Sequence, residues 1–268
     1  PSQESEREAE TLLWLKDYFQ LDVDLLKLYN EWSERDAVFM RFRRRFEGIR
    51  MLRQDPWENL VSFICSSNNN ITRITKMVKS LCEKYSPPLL SMPPPLALES
   101  FHPFPPPSRL AATDVSATLR SLGFGYRAEY IQKTAKMLVN QHEGSSNSSD
   151  AQEAAELWLI SLRKMPTSQV RAELLKFMGV GRKVADCVLL MSMDKKEVIP
   201  VDTHVHQIAM KHYDVRGANS RRGASATKQA LSAKLYEEVS LKLMGVWGDY
   251  AGWAHSVLFT ADLRSFSS

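Results

Sequence analysis

Strand signals are almost missing from this sequence. Alternating runs of β-branched and polar residues do not occur, and apolar residues recur at helical spacing instead. That excludes a sandwich, a barrel or a wound sheet and leaves an all-α fold of about ten helices. Cysteine is scarce as well. Cys65, Cys82 and Cys187 are scattered over 268 residues without a CxxC pair. A disulfide framework and a thiolate metal site are thereby excluded, and an intracellular chain is expected. No apolar run reaches the ~18 residues of a membrane span, and no signal peptide is visible, so no membrane partner is expected. No internal repeat of fixed period appears. The chain opens on Pro1 rather than Met and reads as a piece of a longer protein.

What is present is an ordinary globular balance, 44% hydrophobic and 25% charged residues, enough for a sizeable core. The net charge of +4 points only weakly to an anionic partner. An amphipathic helix is expected from about Glu8 to Tyr18, then two helices split near Ser33. Asp55 and Pro56 form a cap and first-turn pair. They open a helix that is broken at Ser66–Asn70 and resumes beyond. Residues Pro87 to Pro107 read as an extended, partly mobile surface loop. Two helical runs meet at Gly123 and Gly125. Residues 142–152 and 216–229 read as polar loops. The last two helices are expected from about Gln229 to Leu243 and from about Tyr250 to Leu263, with Trp247 and Trp253 in the core.

The stretch "LLKFMGVGRKVADCVLL" carries the chemistry. Gly179 and Gly181 permit a tight turn between two helices that pack through Leu174, Leu175, Val184 and Val188. Free backbone N–H groups at the second helix's N-terminus make an anion site suited to a phosphate. Lys183 follows two residues after the turn. A cation there opposes the helix dipole, and that field with partial burial favours the neutral, nucleophilic amine. Lys183, Cys187 and Met191 fall on one stripe of the helix. The same residues also fit a phosphate-binding lysine with two core residues below it. Asp202, in "VIPVDTHVH", sits where an N-cap belongs. The helix from Lys183 to Met193 rises about 15 Å and the nine residues back to Asp202 span up to about 30 Å. A return of the carboxylate to Lys183, where it would support cationic or proton-transfer steps, is therefore sterically open.

"GVGRKVADC" followed by "PVDTH" resembles the helix–hairpin–helix DNA glycosylase superfamily. "FICSSNNNITRI", "LGFGYRAEYI" and "GDYAGWAHSVLFTADL" narrow the resemblance to the eukaryotic 8-oxoguanine DNA glycosylase/AP lyase family, from about Tyr18 to Leu263. The resemblance implies two helical subdomains with the active site in the cleft between them. It implies a remnant connection at 1–20 from an amino-terminal β domain lying before Pro1, and a glycosylase domain over 21–268 with its hairpin at about 168–193. The implied activity is removal of 8-oxoguanine opposite cytosine from damaged double-stranded DNA, followed by β-elimination at the abasic site. By resemblance, Lys183 attacks the sugar C1′ and Asp202 supports that chemistry. Cys187 and Phe259 sandwich the extruded base, Met191 lines the pocket and His204 holds a phosphate. Asn68 fills the gap in the stack, Arg73 and Arg127 contact the orphaned cytosine, and Tyr126 wedges beside it. Amides near Gly179, Gly181 and Val184 hold phosphate, with a cation on the hairpin carbonyls as the one candidate cofactor. The implied protein is a monomer of the nucleus, with mitochondrial copies as a second location.

Two positions depart from the family pattern. His255 stands where the family has a glutamine that reads the lesion's Watson–Crick edge. An imidazole lacks the paired donor and acceptor of an amide, so lesion preference stays open. Met178 replaces the hairpin proline. Read without the resemblance, Asn68–Asn70 is turn chemistry, Arg73 and Arg127 are solvated charges, and Phe259 is core. Two other functions compete. An iron–sulfur relative of the endonuclease III type would need four cysteines, and three are present. A non-catalytic helix–hairpin–helix DNA-binding module would use Lys183 only as charge.

Overall fold

A computed structural model of the chain describes residues 3–89, 100–142, 153–215 and 232–262. Among these residues it contains fourteen α-helices, two short 3₁₀ turns and no strand. The first helices are α1 (Gln3–Tyr18), α2 (Leu25–Arg35) and α3 (Ala37–Arg43). A middle run holds α4 (Pro56–Ser66), α5 (Ile71–Tyr85), α6 (Pro107–Leu110), α7 (Val115–Ser121), α8 (Arg127–His142), α9 (Ala154–Ser161) and α10 (Thr167–Leu174). Then come α11 (Arg182–Ser192), α12 (Thr203–His212), α13 (Ala233–Trp247) and α14 (Ala251–Asp262). The chain divides into two compact units: residues 1–54 with 189–268, and residues 55–188. No helix among the described residues is long and apolar enough to cross a membrane.

Short polar side chains start several of these helices. Asp24, Asp55, Asn70 and Ser232 each accept a hydrogen bond from a first-turn amide, at 3.0, 2.9, 3.0 and 3.2 Å. Each satisfies one of the donors that a helix start leaves open. The break expected near Ser33 falls instead at Asp36. That residue closes α2, its N–H donating to Trp32 O, and opens α3, its Oδ1 accepting from Val38 N at 2.8 Å.

The core of the first unit gathers Tyr29, Trp32 and Phe39, with ring centroids 5.3–5.5 Å apart, and Leu243, Trp247 and Trp253. Both tryptophans assigned to the core are 2% exposed. Asp36 Oδ2 reaches into this core, accepting from Tyr213 Oη at 2.6 Å and Trp247 Nε1 at 3.0 Å. Burial and the adjacent carboxylate hold the Tyr213 hydroxyl firmly protonated. Helix α1 buries no residue, and its Leu12, Leu13 and Trp14 are exposed. Gly252 lets α14 meet the segment that leads to α12: its N–H donates to Lys196 O at 2.9 Å, and a Cβ there would collide with the Val198 carbonyl and Leu190.

In the second unit Trp57, Leu60, Ile64, Leu81, Ile131 and Leu138 are fully buried. The proline-rich stretch is not wholly an exposed loop. Pro105 and Pro107 are buried, Pro105 O accepts from Trp57 Nε1 at 2.9 Å, and Phe104 packs on the Trp57 ring at 6.5 Å. Local composition missed this because the prolines cover a tryptophan that is remote in sequence. Residues 90–99 of that stretch, 143–152, 216–231 and the last helix's expected end at Leu263 lie outside the described residues.

Burial lowers the pKa of His142, His206 and His212 below 6.5; at His212 the Lys211 charge adds to it. Their folded forms favour neutrality, so the unfolded chain binds more protons as pH falls through 6.5. Stability that is complete above 6.5 is then lost as pH drops toward the lowered folded values. Thermal melts from pH 7.5 to 5 are expected to show a falling midpoint, with a shallower slope in His206→Gln. A midpoint flat across that range would contradict the assignment.

Candidate active site

The hairpin forms where α10 gives way to α11. Gly179 has φ +81°, a left-handed conformation that glycine adopts without steric cost. It also faces Tyr130 of α8. A Cβ at this position would collide with the ring, approaching Cγ to 2.9 Å. Gly181 differs: a Cβ there would meet nothing within 4 Å, and its carbonyl starts α11 by accepting from Ala185 N at 2.9 Å. Gly179→Ala is therefore expected to destabilise the protein by about 2–4 kcal/mol, read by denaturant unfolding. Gly181→Ala should leave the midpoint unchanged while weakening DNA binding. Equal destabilisation by both would remove the distinction between a packing glycine and a contact glycine.

Two hairpin features were not anticipated. Asp186, with its side chain 1% exposed, accepts from Arg171 Nε at 2.7 Å and from Arg182 Nε at 3.0 Å. It ties α10 to the first turn of α11. The Arg182–Asp186 spacing of four is legible in sequence, whereas Arg171 arrives only through the turn. Lys183 lies half-buried with Nζ over the Phe63 ring, 5.3 Å from its centroid. Val184 and Cys187 are buried at 6% and 3% exposure. Met191, two turns beyond Lys183 on the same helix, is half-buried.

The polar turn after α4 is built to be held. Asn68 is exposed, with φ +47°, a conformation asparagine tolerates better than most residues. Arg127 is 3% exposed. Its guanidinium donates to the Ser67 carbonyl through Nε (3.1 Å) and Nη2, and Nη2 also donates to Asn68 O at 3.0 Å. The guanidinium carbon sits 4.5 Å above the Tyr126 ring, and Tyr126, 46% exposed, donates its hydroxyl to Ser67 O at 3.2 Å. Arg73 is exposed and donates to Gly123 O at 2.9 Å. The structure thus collects Asn68, Arg73, Tyr126 and Arg127 in one place. Arg127 is turned inward onto the backbone, and Arg73 outward.

The remaining expected residues lie in the first unit. Asp202 Oδ1 accepts from His204 N and Val205 N, both at 2.9 Å, and caps α12. His204 Nε2 stands 3.2 Å from Asp262 Oδ2 and meets the Phe259 ring edge-on at 5.1 Å. His255 is buried, one turn before Phe259, with ring centroids 6.0 Å apart. Asp202, His204, His255 and Phe259 therefore cluster where α12 meets α14. Among the described residues no group of three or more His, Cys, Asp or Glu side chains is placed to hold a metal.

Residues 1–60 match the model "8-oxoguanine DNA glycosylase, N-terminal domain", and residues 61–236 match "HhH-GPD superfamily base excision DNA repair protein". The first match runs through α1–α3 into α4. The chain is 39% identical over 263 residues to the N-glycosylase/DNA lyase of Saccharomyces cerevisiae, covering 94% of this chain and 67% of that protein. It is 39% identical over 260 residues to the N-glycosylase/DNA lyase OGG1 of Arabidopsis thaliana, covering 94% of this chain and 62% of that one. It thus spans about two thirds of the length of these relatives. Among solved structures, MBOgg1 with a low affinity DNA ligand superposes with TM-score 0.73 at 30% identity, over 91% of this chain and 72% of that chain. The 8-oxoguanine glycosylase/lyase of Clostridium acetobutylicum in its apo-form gives 0.71 at 30% identity, over 94% and 75%. A hairpin that presents Lys183, a held asparagine turn and two family matches spanning residues 1–236 place this chain in the HhH-GPD superfamily of base excision DNA repair proteins, within its 8-oxoguanine DNA glycosylase family.

Proposed function

We propose that this chain excises 8-oxoguanine opposite cytosine from double-stranded DNA and then nicks the strand by β-elimination. The observation that carries this reading is Lys183. It stands in the first turn of α11, directly after the Gly179–Gly181 hairpin, in a chain 39% identical to a yeast N-glycosylase/DNA lyase. The Clostridium relative has been solved with DNA containing cytosine opposite 8-oxoguanine, which supports the choice of substrate.

In the proposed reaction the lesion is extruded from the duplex. The Lys183 Nζ lone pair forms a bond to C1′ as the C1′–base bond breaks; the base leaves with the electrons of the broken bond and takes up the proton that the amine releases. Ring opening gives a Schiff base; loss of a C2′ proton then expels the 3′ phosphate. Asp202 stabilises positive charge as it develops. Cys187 and Phe259 sandwich the base, Met191 lines its pocket, and His255 faces the lesion where the family uses glutamine. His204 and the amides near Gly179, Gly181 and Val184 hold phosphates. A cation on the hairpin carbonyls would add to that hold, and no iron–sulfur cluster is involved. Asn68 fills the vacated stack with Tyr126 wedged beside it, and Arg73 reaches toward the orphaned cytosine. Arg127 reaches that base only by releasing the Ser67 and Asn68 carbonyls it holds in the free protein. The proposed protein works as a monomer without a membrane partner, in the nucleus with a second pool in mitochondria.

Borohydride reduction tests the reading, because only a Schiff base is reduced to a covalent protein–DNA adduct. A duplex with 8-oxoguanine opposite cytosine should yield adduct, and one with adenine opposite the lesion much less. No adduct with either duplex, despite binding, would favour the non-catalytic module.

A further inference from the structure

Lys183 is a long, flexible cation at the start of a helix, where the dipole repels it. Something must hold it in one rotamer if it is to attack a sugar carbon. The acid nearest along the helix is Asp186, three residues on, and it is already held by Arg171 and Arg182 at 2.7 and 3.0 Å. Within its own unit no carboxylate pairs with Lys183 among the described residues. What lies against its ammonium is the face of Phe63, 5.3 Å away, a separation at which the ring's negative face attracts a cation.

We infer that Phe63 is a positioning residue for the lysine nucleophile. Its ring face fixes the Nζ, by a cation–π contact in the resting ammonium and by N–H···π contact once the amine is neutral, while Arg171 and Arg182 keep Asp186 from capturing it. The inference rests on the proposed role of Lys183 as nucleophile. Two features of α4 make Phe63 a firm support. Its neighbours Val61, Ile64 and Cys65 are buried, which anchors the helix. The same helix ends at the Ser67–Asn68 turn that Arg127 clamps. A contact that only repelled water would need apolar bulk alone; a contact that holds a cation needs the π face.

That difference sets the experiment. Phe63 is replaced by 3,4,5-trifluorophenylalanine, which keeps the shape but depletes the ring's negative face, and separately by tyrosine and by leucine. The rate of borohydride adduct formation in single turnover on duplex with 8-oxoguanine opposite cytosine is compared with affinity for the same duplex and with melting temperature. The fluorinated ring and Phe63→Leu are expected to slow adduct formation by about fivefold with affinity unchanged. Phe63→Tyr should restore the wild-type rate. In the free protein, the Lys183 ε-methylene protons should show an upfield ring-current shift that Phe63→Leu abolishes. A fluorinated variant as fast as wild type, or a slowing that merely follows melting temperature, would overturn the inference. So would absence of the ring-current shift, which is read without any catalysis. A wild-type chain that forms no adduct would sink the glycosylase reading instead, and the positioning role with it.

Discussion

A Lys183→Gln chain should bind duplex DNA nearly as well as the wild type yet form no borohydride adduct, with excision falling by at least about 10³-fold. Glutamine keeps most of the side chain's length and polarity but has no basic lone pair. The covalent route closes, and only electrostatic and binding contributions survive. Loss of one cation facing the backbone costs little affinity and lowers the salt slope by about 0.9 at most. The two competing functions therefore separate on different axes. A catalytic lysine loses turnover and keeps binding; a phosphate-holding lysine loses a little binding and has no turnover to lose. The packing supports a clean outcome. Lys183 is only half-buried, and its contact is a ring face that tolerates a neutral amide. An adduct that persisted in Lys183→Gln would assign the nucleophile to another amine. Tryptic mapping of the adduct would then show which one.

The largest effect on stability is expected at Asp36. Its two carboxylate oxygens serve three donors: Val38 N at 2.8 Å, Tyr213 Oη at 2.6 Å and Trp247 Nε1 at 3.0 Å. Asp36→Ala removes a helix cap, worth about 1 kcal/mol. It also strands a buried hydroxyl and a buried indole N–H, at about 1–3 kcal/mol each. A loss of about 3–7 kcal/mol is expected, a large share of the roughly 5–15 kcal/mol that a folded domain has. Asp36→Asn is expected to lose less. Its single carbonyl oxygen can serve the cap or the Tyr213–Trp247 pair, but not both, and Trp247 offers only a donor. Urea unfolding monitored by tryptophan fluorescence checks the order wild type, Asn, Ala. Equal stability of all three would mean that water replaces the carboxylate at no cost.

Much of this protein was legible in one dimension. Helical spacing of apolar residues announced the all-α class, and Asp55-Pro56 and the Ser66–Asn70 breaker set the bounds of α4 and α5. Caps and breakers act within a few residues, so sequence suffices to find them. The hairpin glycines, Lys183 and Asp202 could be picked out because a tight turn, a helix start and a cap each demand particular residue types at fixed offsets.

Tertiary structure decided the rest, because it rests on contacts between residues far apart in the chain. The helix break near Ser33 moved to Asp36 since that aspartate serves partners 177 and 211 residues away. Pro105 and Pro107 became core once Trp57 was there to be covered. Arg127 lies against the backbone of a turn 60 residues before it, donating to the Ser67 and Asn68 carbonyls, a partnership that no local pattern announces. Phe63 gave no sign of a role: one aromatic in an apolar helix face is unremarkable until packing sets Lys183 above it. The sequence by itself determined the all-α class, most of the longer helices and which side chains have the chemistry to act; it expected about ten helices and missed α6 and α9 among the fourteen described. Only packing determined which of those side chains are held, and by what, since a hydrogen bond or a cation–π contact depends on distances that no local pattern encodes.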